Sequence, residues 1–206
     1  MPEAGGLRGE RQEELRRVSV EERKMIYSVT EVLQPWADFS HVPPERLFMA
    51  SERGTAVHDA CLMKTARGIP AIGIDEECAG YVESFQKWFD HFVDRVFFTE
   101  ERLVDVNLGI SGQIDLFCKA KDGTYPIIDL KTPVTKNKSW RLQLAGYRRL
   151  VIQDHPSIPE WLIKTGSLRL DPKGKAPKMD WYKQDTYLRD LNYLLQALNL
   201  YRYFHS

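Results

Sequence analysis

The spacing of apolar residues changes period twice between positions 76 and 153, and that alternation limits the fold more than any other feature of the chain. From Glu76 to Phe98 the residues Tyr81, Phe85, Trp88, Phe89 and Phe92 recur at three- and four-residue steps, which predicts one long helix with a core-facing stripe. The period then falls to that of strands. Arg102–Leu108, Gly112–Lys119 and Tyr125–Leu130 read as three strands, and Asp122-Gly123 between the last two favours a tight hairpin turn. From Ser139 to about Gln153 the helical period returns, with Trp140, Leu144, Tyr147 and Val151 on one face.

The flanking segments fit the same scheme. Ser28 or Thr30 can cap a helix ahead of an apolar turn, and Glu45 to Arg67 reads as a helix closed by Gly68, with His58, Cys61, Leu62 and Thr65 on one face. Trp161 to Leu170 alternates as a strand, Met179 to Tyr182 can pair back as an edge strand, and Asp185 to Phe204 is a closing amphipathic helix. The expected fold class is α/β (α+β): a central mixed β-sheet flanked by helices. The 206 residues suffice for one core, so a single domain is expected over 25–206, after a mixed-charge, flexible segment at 1–24.

Composition narrows the function classes. No apolar leader stands among residues 1–24 and no membrane-length apolar run follows, which sets the expectation of a soluble, cytoplasmic protein with no membrane partner. Cys61, Cys78 and Cys118 are scattered singly, as buried thiols would be, and offer no cluster of ligands for zinc or iron–sulfur. The formal net charge is zero, yet Lys131 to Lys183 holds twelve Lys or Arg against four acids. A local phosphate-binding face is therefore compatible with a neutral chain, as is a set of solvated surface charges.

Chemistry concentrates in Gly112-Gln-Ile-Asp115 and, fourteen residues on from Asp115, in Ile128-Asp129-Leu-Lys131-Thr132. Residues two apart in a strand share a face, so Asp129 and Lys131 project together while Ile128 and Leu130 face the other way. A hairpin can bring Asp115 alongside. Two carboxylates and an ammonium at the end of an apolar sheet repel and pair in an arrangement that a divalent cation would offset. Hard oxygen ligands suit Mg²⁺ or Mn²⁺. An isolated Asp-x-Lys is more often a surface ion pair, so the context of other motifs has to decide.

That context is a set of four pieces in order: Gly54-Thr-Ala-Val-His58, Gly112-Gln-Ile-Asp115, Ile128-Asp129-Leu-Lys131-Thr132 and Gln143-Leu-Ala-Gly-Tyr147. Together they resemble the RecB-like branch of the PD-(D/E)XK nuclease superfamily, and in particular its compact stand-alone phage and prophage exonucleases and mitochondrial genome-maintenance exonucleases. Ser28-Val-Thr-Glu-Val-Leu and Ala197-Leu-Asn-Leu-Tyr-Arg extend a looser likeness over most of the chain. Ile114 stands where the superfamily's name has Pro, which this branch commonly lacks.

The resemblance implies a restriction-endonuclease-like core and a Mg²⁺- or Mn²⁺-dependent deoxyribonuclease, an exonuclease in DNA recombination, repair or processing. It makes Asp115, Asp129, the Leu130 carbonyl and His58 the metal ligands, and Lys131 the group that orients water and stabilises developing charge. Gln143 and Tyr147 would brace the site and meet the nucleic acid. Lys136, Lys138, Arg141, Arg148 and Arg149, within the basic half, are the residues expected to contact DNA. Glu100 and Glu101, just ahead of the first strand, could supply another acid, but their position sets the expectation that they lie at the surface, outside the site. The absence of Gly-x-x-x-x-Gly-Lys-Ser/Thr implies no nucleotide cofactor, and the missing cysteine cluster no iron–sulfur cluster. Homo-oligomerisation and a recombination or replication partner protein stay open, as do an endonuclease on the same fold and a non-catalytic nucleic-acid-binding module.

Overall fold

The computed structural model describes residues 26–37, 42–69, 73–133 and 136–205; the segment 1–24 lies outside them. In chain order the described elements begin with a short strand β1 (Tyr27–Ser28) and helix α1 (Val29–Leu33). Ser28 and Glu31 form a reciprocal capping box that starts α1 where the sequence puts it. Helix α2 (Pro44–His58) runs into a wider π turn (Asp59–Lys64) and a 3₁₀ turn (Thr65–Arg67) instead of continuing regularly to Arg67. After these come α3 (Glu76–Phe92), β2 (Val93–Asp105), β3 (Ile110–Ala120), β4 (Tyr125–Lys131), α4 (Ser139–Asp154), β5 (Ile163–Arg169), β6 (Lys178–Tyr182) and α5 (Tyr187–His205).

One mixed six-stranded sheet joins these pieces. β2, β3 and β4 form an antiparallel meander, β5 lies parallel to β4, and β6 returns antiparallel at the edge. The hairpin between β3 and β4 turns at Gly123, whose φ of +85° is a left-handed conformation that glycine takes at little cost. The fold class is thus a mixed sheet flanked by helices, as the alternation of periods predicts. Residues 93–98 differ from the expectation: they belong to β2, because pairing with Phe117–Ala120 of β3 outweighs the continuation of the helical stripe.

Each sheet face carries its own apolar layer. On one side Phe98, Ile114, Phe117 and Ile127 pack with Leu144, Tyr147 and Leu150 of α4 and Leu194 and Leu198 of α5. On the other, Leu116, Cys118, Ile128, Leu130 and Leu168 pack with Val57, Cys61 and Leu62 of the α2 segment and with Tyr81 and Phe85 of α3. The α3 stripe is core, as expected, and all three cysteines are buried. Among the described residues no helix is long and apolar enough to cross a membrane.

The α4 layer sets a tight requirement at Gly112, where a Cβ would come within 2.6 Å of the Tyr147 ring. Alanine gains about 0.5–1 kcal/mol over glycine in regular structure, whereas forcing a buried ring aside costs about 1–3 kcal/mol. Overpacking therefore wins. Gly112→Ala is expected to lower the urea midpoint and to displace Tyr147; an unchanged or raised midpoint would show that the ring yields freely.

Candidate active site

The strict two-residue alternation of β3 breaks at Asp115. Ile114 and Phe117, three apart, face the same apolar layer, while Leu116 and Cys118 face the other. In β2 the residue between the registers Glu101↔Ile114 and Thr99↔Leu116 is Glu100, whose φ of +51° is left-handed. A non-glycine residue held there costs of order 1–3 kcal/mol and persists only where its surroundings fix it. Arg67 donates to Thr99 Oγ1 (2.9 Å) and to the Thr99 carbonyl (3.2 Å), and the Gln113 amide donates to Glu100 Oε2. The irregular backbone turns Glu100 inward beside Asp115.

On the other side of β3, direct register with β4 covers Leu116↔Ile128 and Phe117↔Ile127. The Leu130 N–H, one step further toward the strand end, donates to Asp115 Oδ2 at 2.7 Å. The Leu130 carbonyl accepts from His58 Nε2 at 3.2 Å. His58 is delivered by the end of α2, where Gly54 lies 4.0 Å (as a would-be Cβ) from Thr132 Oγ1, so the first and third motifs meet in space. The imidazole Nδ1 lies 3.6 Å from Glu100 Oε1 and 3.7 Å from Asp115 Oδ2.

Asp129 and Lys131 point together toward α4, while Ile128 and Leu130 sit in the opposite layer, as their spacing predicts. Lys131 Nζ donates to Asp129 Oδ1 (3.0 Å) and to Gln143 Oε1 (3.3 Å), and stands 2.8 Å from Asp129 Oδ2. The Gln143 amide donates to Asp129 Oδ1 (3.1 Å) and to the Tyr147 hydroxyl (2.9 Å). Gln143 and Tyr147 are one helical turn apart, so both reach the strand end from one face of α4. Asp129 Oδ2 is buried and accepts no hydrogen bond of good geometry. The Lys131 ammonium also lies 5.4 Å from the centre of the Trp140 ring.

Charge shapes the protonation of this cluster. Burial opposes the charged form of His58, but Asp115, Glu100 and Asp129 outweigh it and lift the imidazole to about 9. Burial lifts Asp115 to about 7, with His58 opposing the rise and Asp129 adding to it. Burial acts against the Lys131 charge, yet Asp129 and Asp115 hold its pKa above the ordinary value, so the ammonium stays charged. Burial, with Asp129 and Asp115, raises the Tyr147 phenol, which stays protonated.

Ligand atoms of His58, Glu100 and Asp115 all lie within 4.8 Å of one another. Ligand distances near 2.0–2.6 Å span about that separation across one ion, and the oxygen-rich set matches a hard divalent cation. Asp129, its buried Oδ2 paired with Lys131, lies on the adjacent strand and is not one of the three. The three fit a metal ion. Of the expected set, His58 and Asp115 fall in this group, the Leu130 carbonyl accepts from His58, and Asp129 faces Lys131 and Gln143; Glu100 joins the group, against the expectation that it lies at the surface. Glu101 stays outside the group. A cleft of about 580 Å³ opens on His58, Glu100 and Gln113, bounded by Ser51, Gly54 and Thr55 of α2.

The basic residues divide. Arg148 is buried, donates to the Glu160 carbonyl (2.8 Å) and lies 4.2 Å from the Tyr187 ring centre, so it ties α4 to α5 and is not part of an exposed phosphate-binding face. Arg149 pairs with buried Asp105 (3.0 Å) and Arg141 with buried Asp190 (2.7 Å), which gives both a structural task. Lys136 and Lys138 are exposed on the connection from β4 to α4; Lys136 pairs with Asp180.

The shifts fix a sign for stability against pH. His58 and Asp115 both bind protons more tightly folded than unfolded, so their contribution is greatest at low pH and is lost as pH rises, through about 7 for Asp115 and about 9 for His58. Burial opposes the charge of Glu100, but the neighbouring His58 and the hydrogen bond from Gln113 outweigh it and shift Glu100 downward, so it is already ionised over this range. Metal-free protein should therefore melt at a lower temperature at pH 9 than at pH 6, and His58→Gln should flatten the trend. Added Mn²⁺ should stabilise more at pH 8 than at pH 6, because an ion competes with those protons. A trend of opposite sign in EDTA would contradict the charge assignment.

Compared with protein-family models and with curated proteins, the chain matches none, and the site stands on its own geometry.

Proposed function

We propose that this chain is a Mg²⁺- or Mn²⁺-dependent deoxyribonuclease that hydrolyses phosphodiester bonds from DNA ends. The observation that carries the reading is the junction of two groups at one sheet end: His58, Glu100 and Asp115 on one side, and the hydrogen-bonded Asp129, Lys131 and Gln143 on the other. The four motifs of the RecB-like resemblance supply all of its residues but Glu100, which supports the family reading; the preference for exonuclease over endonuclease rests on that resemblance.

His58, Glu100 and Asp115 would hold the ion, with Asp129 as a further carboxylate on the neighbouring strand. A bound divalent cation polarises a phosphoryl oxygen and lowers the pKa of coordinated water. The chain's own residues do the rest. Lys131, fixed between Asp129 and Gln143, presents a permanent positive charge to the oxygen on which negative charge grows. Gln143 locks the Asp129 carboxylate in place and is itself held by Tyr147. Tyr147, wedged over Gly112, keeps that helix face at a fixed distance from the strand.

The test is digestion of end-labelled linear DNA beside closed circular DNA, with and without Mg²⁺. Linear DNA should be degraded only with the metal and circular DNA left intact; cutting of the circle would transfer the fold to an endonuclease, and no cutting of either would sink the nuclease reading. Lys131→Met keeps the aliphatic stem and should lower the rate by roughly two to four powers of ten with little change in DNA or metal affinity. Asp129→Asn should damage metal affinity and rate together. Cleavage at the parental rate by Lys131→Met would reduce Lys131 to an ion-pair partner of Asp129.

A further inference from the structure

We infer that Arg169 and Lys178, with Lys136 beside them, form a binding site for the sugar–phosphate backbone of the polynucleotide strand whose cleaved bond lies at Lys131. The inference rests on the nuclease reading and extends it across the sheet. Registers place Lys131 opposite Arg169 and Arg169 opposite Lys178, so three cations occupy successive positions across β4, β5 and β6. Opposed residues point to one face of a sheet, and adjacent strands lie about 4.8 Å apart. The neighbouring residues Leu168, Leu170 and Met179 pack in the opposite layer, which leaves this row on the side of α4 and the Asp129–Lys131 pair.

Like charges directly opposed on a sheet are destabilising. Two such oppositions in a row are a cost that the apolar core does not need. Asp129 offsets one, and Asp180 partly offsets the other: it accepts from Arg169 Nε at 2.7 Å and pairs with Lys136. Among the described residues, Lys131, Arg169, Lys178 and Lys136 thus share the carboxylates of Asp129 and Asp180. Lys178 and Lys136 are exposed while Lys131 and Arg169 are largely covered, so the row runs from Lys131 outward to solvent at the sheet edge. A backbone whose phosphates follow one another in line fits that row. The three arginines of α4 first expected to serve this role, Arg141, Arg148 and Arg149, have their guanidinium groups bonded within the fold.

The experiment measures binding of a phosphorothioate-linked, end-labelled oligonucleotide in Mg²⁺ across a salt series, for the parent and for Arg169→Gln, Lys178→Gln and Asp180→Asn, with thermal midpoints taken alongside. Arg169→Gln and Lys178→Gln should each weaken binding and lower the magnitude of the slope of log affinity against log salt by about 1. Asp180→Asn removes the offsetting carboxylate, so it should tighten binding and steepen the slope, an effect of opposite sign that a purely structural ion pair would not give. If Arg169→Gln does not fold, the exposed Lys178 and the Asp180 variant decide alone. Unchanged slopes in the folded variants, with a parent that binds and cleaves DNA, overturn the row and leave the nuclease standing. A parent that neither binds nor cleaves DNA overturns both.

Discussion

The hydrogen bond from the Leu130 N–H to the buried Asp115 carboxylate is the contact on which the rest of the site depends. Where the β3–β4 register ends, a side chain takes the amide in place of a backbone carbonyl, and a buried backbone donor rarely goes without such a partner. The consequence is threefold. Asp115 is drawn to the end of β4, the Leu130 carbonyl is left for His58, and Asp129 and Lys131 on either side of Leu130 are held against α4. Across β2 the matching adjustment is the left-handed Glu100, clamped through Thr99 by Arg67 and through its own carboxylate by Gln113.

Such a junction collects charge in a place that would otherwise be core. Three carboxylates, an imidazole and an ammonium converge between two apolar layers, and burial and neighbouring charge move the protonation of His58, Glu100, Asp115 and Lys131. Burial of charge is costly unless it is paired. The protein pairs it internally through His58 and Lys131, and the displaced proton affinities of His58 and Asp115 are what a divalent ion would draw on. Perturbed groups facing a cleft mark functional sites more often than structural ones.

Much of this was legible in the chain because period and spacing are local. The Asp129–Lys131 pair, the hairpin at Gly123, the Ser28 cap and the α3 stripe follow from residues two to four apart. Glu100 was not, because its place depends on pairing partners in β3. The stripe of Phe89, Phe92 and Val96 continues at helical spacing past Val93, which hides the start of β2; extending the strand from Arg102 back through Glu100 would have set Glu100 opposite Asp115. The internal bonds of the α4 arginines were hidden for a related reason. Counting charge cannot reveal that Arg148 is stacked on Tyr187 from a helix nearly forty residues away, or that Arg149 meets an aspartate buried at the end of β2.

Saturation of the folded protein with Mn²⁺ at pH 8, followed by calorimetry for the parent and for Glu100→Gln and Asp115→Asn, tests the central claim most directly. The arrangement of His58, Glu100 and Asp115 predicts saturable binding with proton release in the parent, weakened binding in Glu100→Gln and loss of binding in Asp115→Asn, with all three proteins folded. Binding that is absent in the parent, or unaffected by either substitution, would contradict it.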